Sequence, residues 1–107
     1  MKMKLFKIEA VAVGVYWKLD VNCPSHWVGS GVYDRDYPCW QKVSLEVAAP
    51  YMELALEAMN YYKSAEYEYE VEDVFALKAE CIGEIDWEKP EIVEFEEGRL
   101  EEGVWQG

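Results

Sequence analysis

Residues 40–48 (WQKVSLEVA) alternate between two kinds of side chain, and the chain then passes almost directly into a helical stripe. On an extended backbone Gln41, Val43, Leu45 and Val47 fall on one side, and Trp40, Lys42, Ser44 and Glu46 on the other. A period of two with one mostly apolar set marks an antiparallel strand that buries one face and wets the other. From Pro50 the period changes. Met52, Ala55, Leu56, Met59 and Tyr62 recur at helical spacing, with Glu53, Glu57 and Asn60 opposite. Pro50 suits the first helical position, where its missing N–H costs nothing. Ala49 offers no side-chain acceptor as a cap, and the helix is expected to end near Lys63 and Ser64. A one-faced strand followed by a one-striped helix is resolved most simply by burying the two apolar sides in two layers.

The other segments supply strands. Residues 4–21 are rich in Val and aromatics, and predict one long bent strand or two strands, with Gly14 marking a bulge or bend. Phe6, Ile8, Ala10 and Ala12 share one face. Residues 22–31 (NCPSHWVGSG) read as a loop, Val32–Tyr33 as a short strand start, and residues 34–38 (DRDYP) as a turn. Residues 66–72 (EYEYEVE) alternate again, and residues 74–82 follow as a strand, with Asp73 turning or bulging the chain between them. The expected fold is α+β: an antiparallel sheet of four to five strands with one helix packed on one face. The helix stripe should face Val43, Leu45, Val47, Phe75, Leu77 and Ala79. Residues 1–85 form the domain, and residues 86–107 an acidic C-terminal tail anchored by Ile92, Val93, Phe95, Leu100 and Trp105.

The net charge of −12 is not spread along the chain. Residues 1–65 hold seven acids and seven bases, whereas residues 66–107 hold fifteen acids and three bases. A field of one sign repels nucleic acid and anionic membrane and steers basic surfaces inward. Two parts carry the excess. Glu66, Glu68, Glu70 and Glu72 would form a row on one strand face, spaced roughly 6.7 Å apart at about 3.3 Å per residue. That spacing is comparable to a phosphate backbone. Glu94, Glu96 and Glu97 lie in the tail, and such blocks often engage basic partners. The partner-binding residues read from this are Glu66, Glu68, Glu70, Glu72, Asp73, Glu94, Glu96 and Glu97. A solvated, edge-protecting face is the simpler use of such a row.

Cys23, Cys39 and Cys81 make an odd count with no apolar leader behind Met1, which suits a reducing, cytoplasmic setting. No window approaches the length of a membrane span. Cys23 and His26 resemble half of a zinc site, and with Cys39 they form the alternative reading, a small zinc-binding module. Cys23 with His26 as its base would be a nucleophilic pair, but His26 is the only histidine, so no independent acid–base pair accompanies it, and neighbouring turn positions do not ensure hydrogen-bond geometry. Gly29-Ser-Gly31 lacks the Lys-Ser/Thr of a phosphate loop, and Asp34-x-Asp36 lacks the glycine of a calcium loop. The sequence therefore predicts no catalysis and no cofactor.

Residues 43–62 (VSLEVAAPYMELALEAMNYY), with Glu57-Ala58 in the helix, resemble small acidic phage-encoded inhibitors of the anti-CRISPR type. The resemblance covers about a fifth of the chain and carries over no functional residue. It implies a non-catalytic inhibitor that occupies a basic groove of nucleic-acid-binding machinery. The charge partition points to a binding protein for a basic surface, a nucleic-acid mimic included, that contacts neither nucleic acid nor membrane itself. A self-associating structural protein, with the tail docking on a neighbouring copy, is the third reading.

Overall fold

A computed structural model describes residues 1–19, 33–66 and 68–107. Its elements run β1 (Lys2–Leu19), β2 (Tyr33–Ala49), α1 (Met52–Met59), β3 (Tyr69–Asp86) and β4 (Glu91–Glu102). The four strands form one antiparallel sheet in the order β3-β1-β2-β4. Strand length sets the shape. Eighteen residues of β1 at about 3.3 Å each span roughly 59 Å, and the long axis of the molecule is 57 Å. The radius of gyration is 17.1 Å, against about 13 Å for a compact domain of this size.

The core lies on one face of the sheet. There Phe6, Ile8, Ala10 and Ala12 of β1 meet Val43, Leu45, Val47 and Ala49 of β2, with Ala55, Ala58, Met59 and Tyr62 over them. The small β1 residues let the helix approach, and Leu45 and Ile8 are fully buried beneath it. Eight helical residues cover only about 12 Å of sheet at 1.5 Å per residue. Among the described residues α1 is the only element packed on the sheet, and it covers part of one face.

Several expectations are corrected. Residues 34–38 are not a turn, because β2 continues through them to Tyr33. Pro38 is accommodated because its carbonyl accepts from Gly103 N–H at 2.7 Å. Pro38 sits just beyond the Cys39–Glu102 pair that ends the β2–β4 ladder, where a missing N–H is tolerated. Pro50 precedes the helix rather than opening it: the N-cap is Tyr51, with no side-chain cap bond. Residues 91–102, expected as part of a tail, form an edge strand paired with β2. The apolar residues of this segment dock on their own chain. Ile92 packs against the core, Phe95 meets Tyr62 edge-on at 5.6 Å, and Trp105 meets Trp40 at 4.8 Å.

The third strand departs most from the simple pattern. Its pairing with β1 slips three times, at Leu5/Phe6, Glu9/Ala10 and Val13/Gly14. Each slip leaves one β3 residue over: Ile82, Leu77 and Glu72 respectively. A bulge reverses the inside–outside alternation, so a fixed period of two fails across it. Phe75 and Leu77 are consequently exposed rather than buried under the helix, and Val74 takes the core position. Bulges of this kind also twist an edge strand away from further pairing.

Gly14 sits at a close approach of β1 and β3. A Cβ there would fall on the Glu70 carbonyl oxygen and lie 3.0 Å from Val71 Cα. This close approach lies beside the bulge at Glu72.

Candidate partner-binding face

The register defines the face opposite the helix row by row. One row crosses Glu80, Lys7, Glu46 and Glu94, and the next crosses Lys78, Glu9, Ser44 and Glu96, reading β3, β1, β2, β4. Their charges are not alike. In the β3–β1 half, Glu80 faces Lys7 and Lys78 faces Glu9, so two acids meet two bases. In the β2–β4 half, Glu46, Glu94 and Glu96 are three acids with no base among them. The excess negative charge of these two rows is thus collected along the β2–β4 edge.

Opposed carboxylates are unfavourable in a sheet, where directly facing like charges repel. The Glu46 carboxyl is accordingly held above its ordinary value of 4.5. The largest cause is a hydrogen bond with Glu94, which needs a proton on one of the two; burial and the charge of Glu94 add to it, and Lys7 opposes it. With Lys7, Ser44, Phe95 and Glu96 the pair lines a shallow depression of about 140 Å³. Ser44 Oγ donates to Glu9 Oε1 at 3.2 Å, which ties the neighbouring acid to the same surface. No grouping among the described residues could hold a metal ion.

The acids read from the sequence divide into four sets, the last of them Glu97 alone. Glu94 and Glu96 lie in this cluster. Glu70 and Asp73 lie further along the same face, opposite Val15 and Val13, while Glu72 is the bulged residue between them. Glu66 and Glu68 precede β3, which begins at Tyr69. The expected unbroken row Glu66–Glu72 is therefore replaced by a connection, a short strand start and a bulge.

Glu97 is turned to the other face and has a structural task. It accepts from the Tyr62 hydroxyl and from Ala65 N–H at 2.9 Å. Gln41, almost completely buried, donates through Nε2 to the Gly98 carbonyl at 3.0 Å and accepts from Ser64 Oγ at 3.2 Å. This polar seam fastens the segment after the helix to β2 and β4. Gln41 in an otherwise apolar stripe was its sequence signal, since a buried amide requires partners. Tyr69 makes a second seam: its buried hydroxyl reaches the carbonyls of Ala12 at 3.0 Å and Cys39 at 3.2 Å.

Cys23 and His26 lie outside the described residues, and Cys39 is buried in β2. Cys81 is exposed on β3. Glu46 and Glu9 were not among the acids singled out by sequence. Their membership depends on which strands become neighbours, and no local pattern carries that information. Among the described residues no helix is long and apolar enough to cross a membrane. Comparison with known proteins finds no matching family model, no matching curated protein and no matching solved structure.

Proposed function

We propose that this chain is a non-catalytic binding protein whose open sheet face engages a basic, nucleic-acid-binding protein surface, as a phage-type inhibitor would. One observation carries the reading: Glu46, Glu94 and Glu96 stand together on the β2–β4 edge, three acids that Lys7, opposite Glu46, balances only in part. A solvated face gains nothing from opposing two carboxylates, and the cost is recovered when a cation lies between them. Glu94 and Glu96 are two residues apart on a strand, roughly 6.7 Å at about 3.3 Å per residue, a spacing like that of successive phosphates. The sheet fixes this spacing and presents it at an edge, as mimicry of a nucleic-acid strand requires.

The test is affinity capture from a lysate of the source cell's natural competitor or host, at low and high salt, with the wild type and the Glu46→Lys/Glu94→Lys/Glu96→Lys variant. The wild type should retain a basic, nucleic-acid-binding protein, release it as salt rises, and lose it on charge reversal. Retention of the same protein by the reversed variant with equal affinity would remove the acidic face from the function. Capture that is indifferent to salt would do the same.

A further inference from the structure

A groove lies on the same open face, at the end remote from Glu46 and Glu94. Its volume is about 300 Å³. Val13 and Pro38 form the floor, Glu72 and Phe75 one wall, and Val104 and Trp105 the other. The second wall exists because the chain turns at Gly103, whose φ of 111° suits glycine. The turn is tied down by the Gly103 N–H bond to Pro38 and by the packing of Trp105 on Trp40. Phe75 and Val104 stay exposed at the rim, at 46% and 69%.

Apolar walls alone would not name an occupant. The charge around them does. Glu72 lines the groove. Asp73 stands opposite Val13, and Glu70 opposite Val15. Glu101 faces Trp40 from β4, although Arg99 already holds its carboxylate at 3.0 Å. An indole wall, an aromatic rim and adjacent carboxylates suit an arginine side chain. Its stem lies along apolar surface, its guanidinium plane stacks on an indole, and its N–H groups reach carboxylates.

We infer that this groove is a docking site for an arginine side chain of an extended basic segment of the partner. The inference rests on the proposed function and adds to it the partner's chemistry and a second point of contact. The acidic β2–β4 edge supplies salt-dependent attraction, and the groove supplies side-chain selectivity for Arg over Lys.

Titration of the full chain with an unstructured peptide of alternating Arg and Gly tests this, with the Lys–Gly peptide as comparison. Binding is read by calorimetry and by tryptophan fluorescence. The Arg peptide should bind more tightly than the Lys peptide, and Trp105→Ala should weaken the Arg peptide about three- to tenfold while barely moving the Lys peptide. Glu72→Gln/Asp73→Asn, a surface change, should weaken both peptides. Trp105→Phe should restore part of the Arg preference, which separates stacking from a general loss of order in the C-terminal segment. Equal affinity for both peptides, or an Arg preference that survives Trp105→Ala, overturns the groove assignment. If Glu46→Lys/Glu94→Lys/Glu96→Lys still weakens both peptides in that case, the acidic face stands without the groove. Absence of any binding by the Arg peptide at low salt also overturns it, and capture from lysate then judges the face separately. Concentration-dependent dimerisation that Trp105→Ala abolishes would assign the groove to a second copy and likewise overturn it.

Discussion

Replacing Gly14 with alanine tests the arrangement on which the open face depends. The added methyl would fall on the Glu70 carbonyl oxygen, 2.9 Å from Glu70 C and 3.0 Å from Val71 Cα. All three atoms are backbone, so no rotamer change relieves the clash. β1 and β3 must part locally until the contacts approach ordinary van der Waals separation. Overpacking of this kind costs about 1–3 kcal/mol, and each weakened ladder hydrogen bond adds about 1 kcal/mol. We expect Gly14→Ala to lose about 2–4 kcal/mol, which at about 4–8 °C per kcal/mol lowers Tm by about 8–32 °C. Gly98→Ala is the internal comparison. Its nearest neighbour is the Lys42 carbonyl oxygen at 3.0 Å, and it sits on edge strand β4, which can yield toward solvent. Its loss should be less than half as large. Urea unfolding followed by circular dichroism measures both, and amide exchange should report loosening at residues 12–16 and 69–73. A Gly14→Ala protein within about 0.5 kcal/mol of wild type would refute the close approach of β1 and β3. It would also remove the register that places Asp73 opposite Val13 beside the groove.

Other substitutions probe the seams, the acidic pair and the core. Tyr62→Phe removes the hydroxyl that donates to Glu97, and should cost about 1–3 kcal/mol in chemical denaturation because a partly buried carboxylate loses a donor. Burial pushes the Tyr69 hydroxyl up to about 12, and burial and then Glu97 push Tyr62 upward as well. Both folded values exceed the ordinary value of 10.0. Their contribution is therefore complete below pH 10 and is lost as pH rises through the folded values. An alkaline stability profile should fall across that window and flatten in Tyr62→Phe/Tyr69→Phe. The raised Glu46 carboxyl has the same sign at lower pH: its favourable contact with Glu94 is complete below 4.5 and is lost as pH rises through the folded value. Glu46→Gln should then be more stable than wild type at neutral pH and lose that advantage in acid, as a thermal melt at each pH will show. Leu45→Ala, at a fully buried position, should cost about 2–5 kcal/mol, and a loss under 1 kcal/mol would contradict the core as drawn.

Binding chemistry and energetics meet in the acidic edge. A sheet stabilised only for itself would place a base opposite Glu94, as β1 and β3 do when Lys7 faces Glu80 and Lys78 faces Glu9. Instead β2 and β4 align Glu46 with Glu94. The stability given up there is small because the site is exposed and screened by salt. Even so, the arrangement leaves a surface whose energy falls when a cation arrives.

What the sequence determined by itself was the local periodicity. Val43, Leu45 and Val47 on one side of a strand, followed by Ala55 and Met59 on a helix, required two layers, because apolar stripes of different period can be buried together only by stacking a helix on a sheet. The open side of β2, with Trp40, Lys42, Ser44 and Glu46, was legible for the same reason. The one-sided charge of residues 66–107 was legible by counting. The tertiary structure decided everything that depends on neighbours distant in sequence. It folded residues 91–102 into a strand rather than a tail, because β2 had an unpaired edge whose N–H and C=O groups needed partners. It broke the row Glu66–Glu72, because Glu66 and Glu68 precede β3 and the bulge at Glu72 reverses the alternation on which the row relied. It set Glu97 opposite Val43 on the helix face, within reach of Tyr62, and Glu94 and Glu96 opposite Glu46 and Ser44 on the open face. It also drew Glu46 into the acidic site through a partner 48 residues away. Side-chain period is a property of one strand, whereas the electrostatics of a face belongs to the register between strands, and register is fixed only when the whole sheet closes.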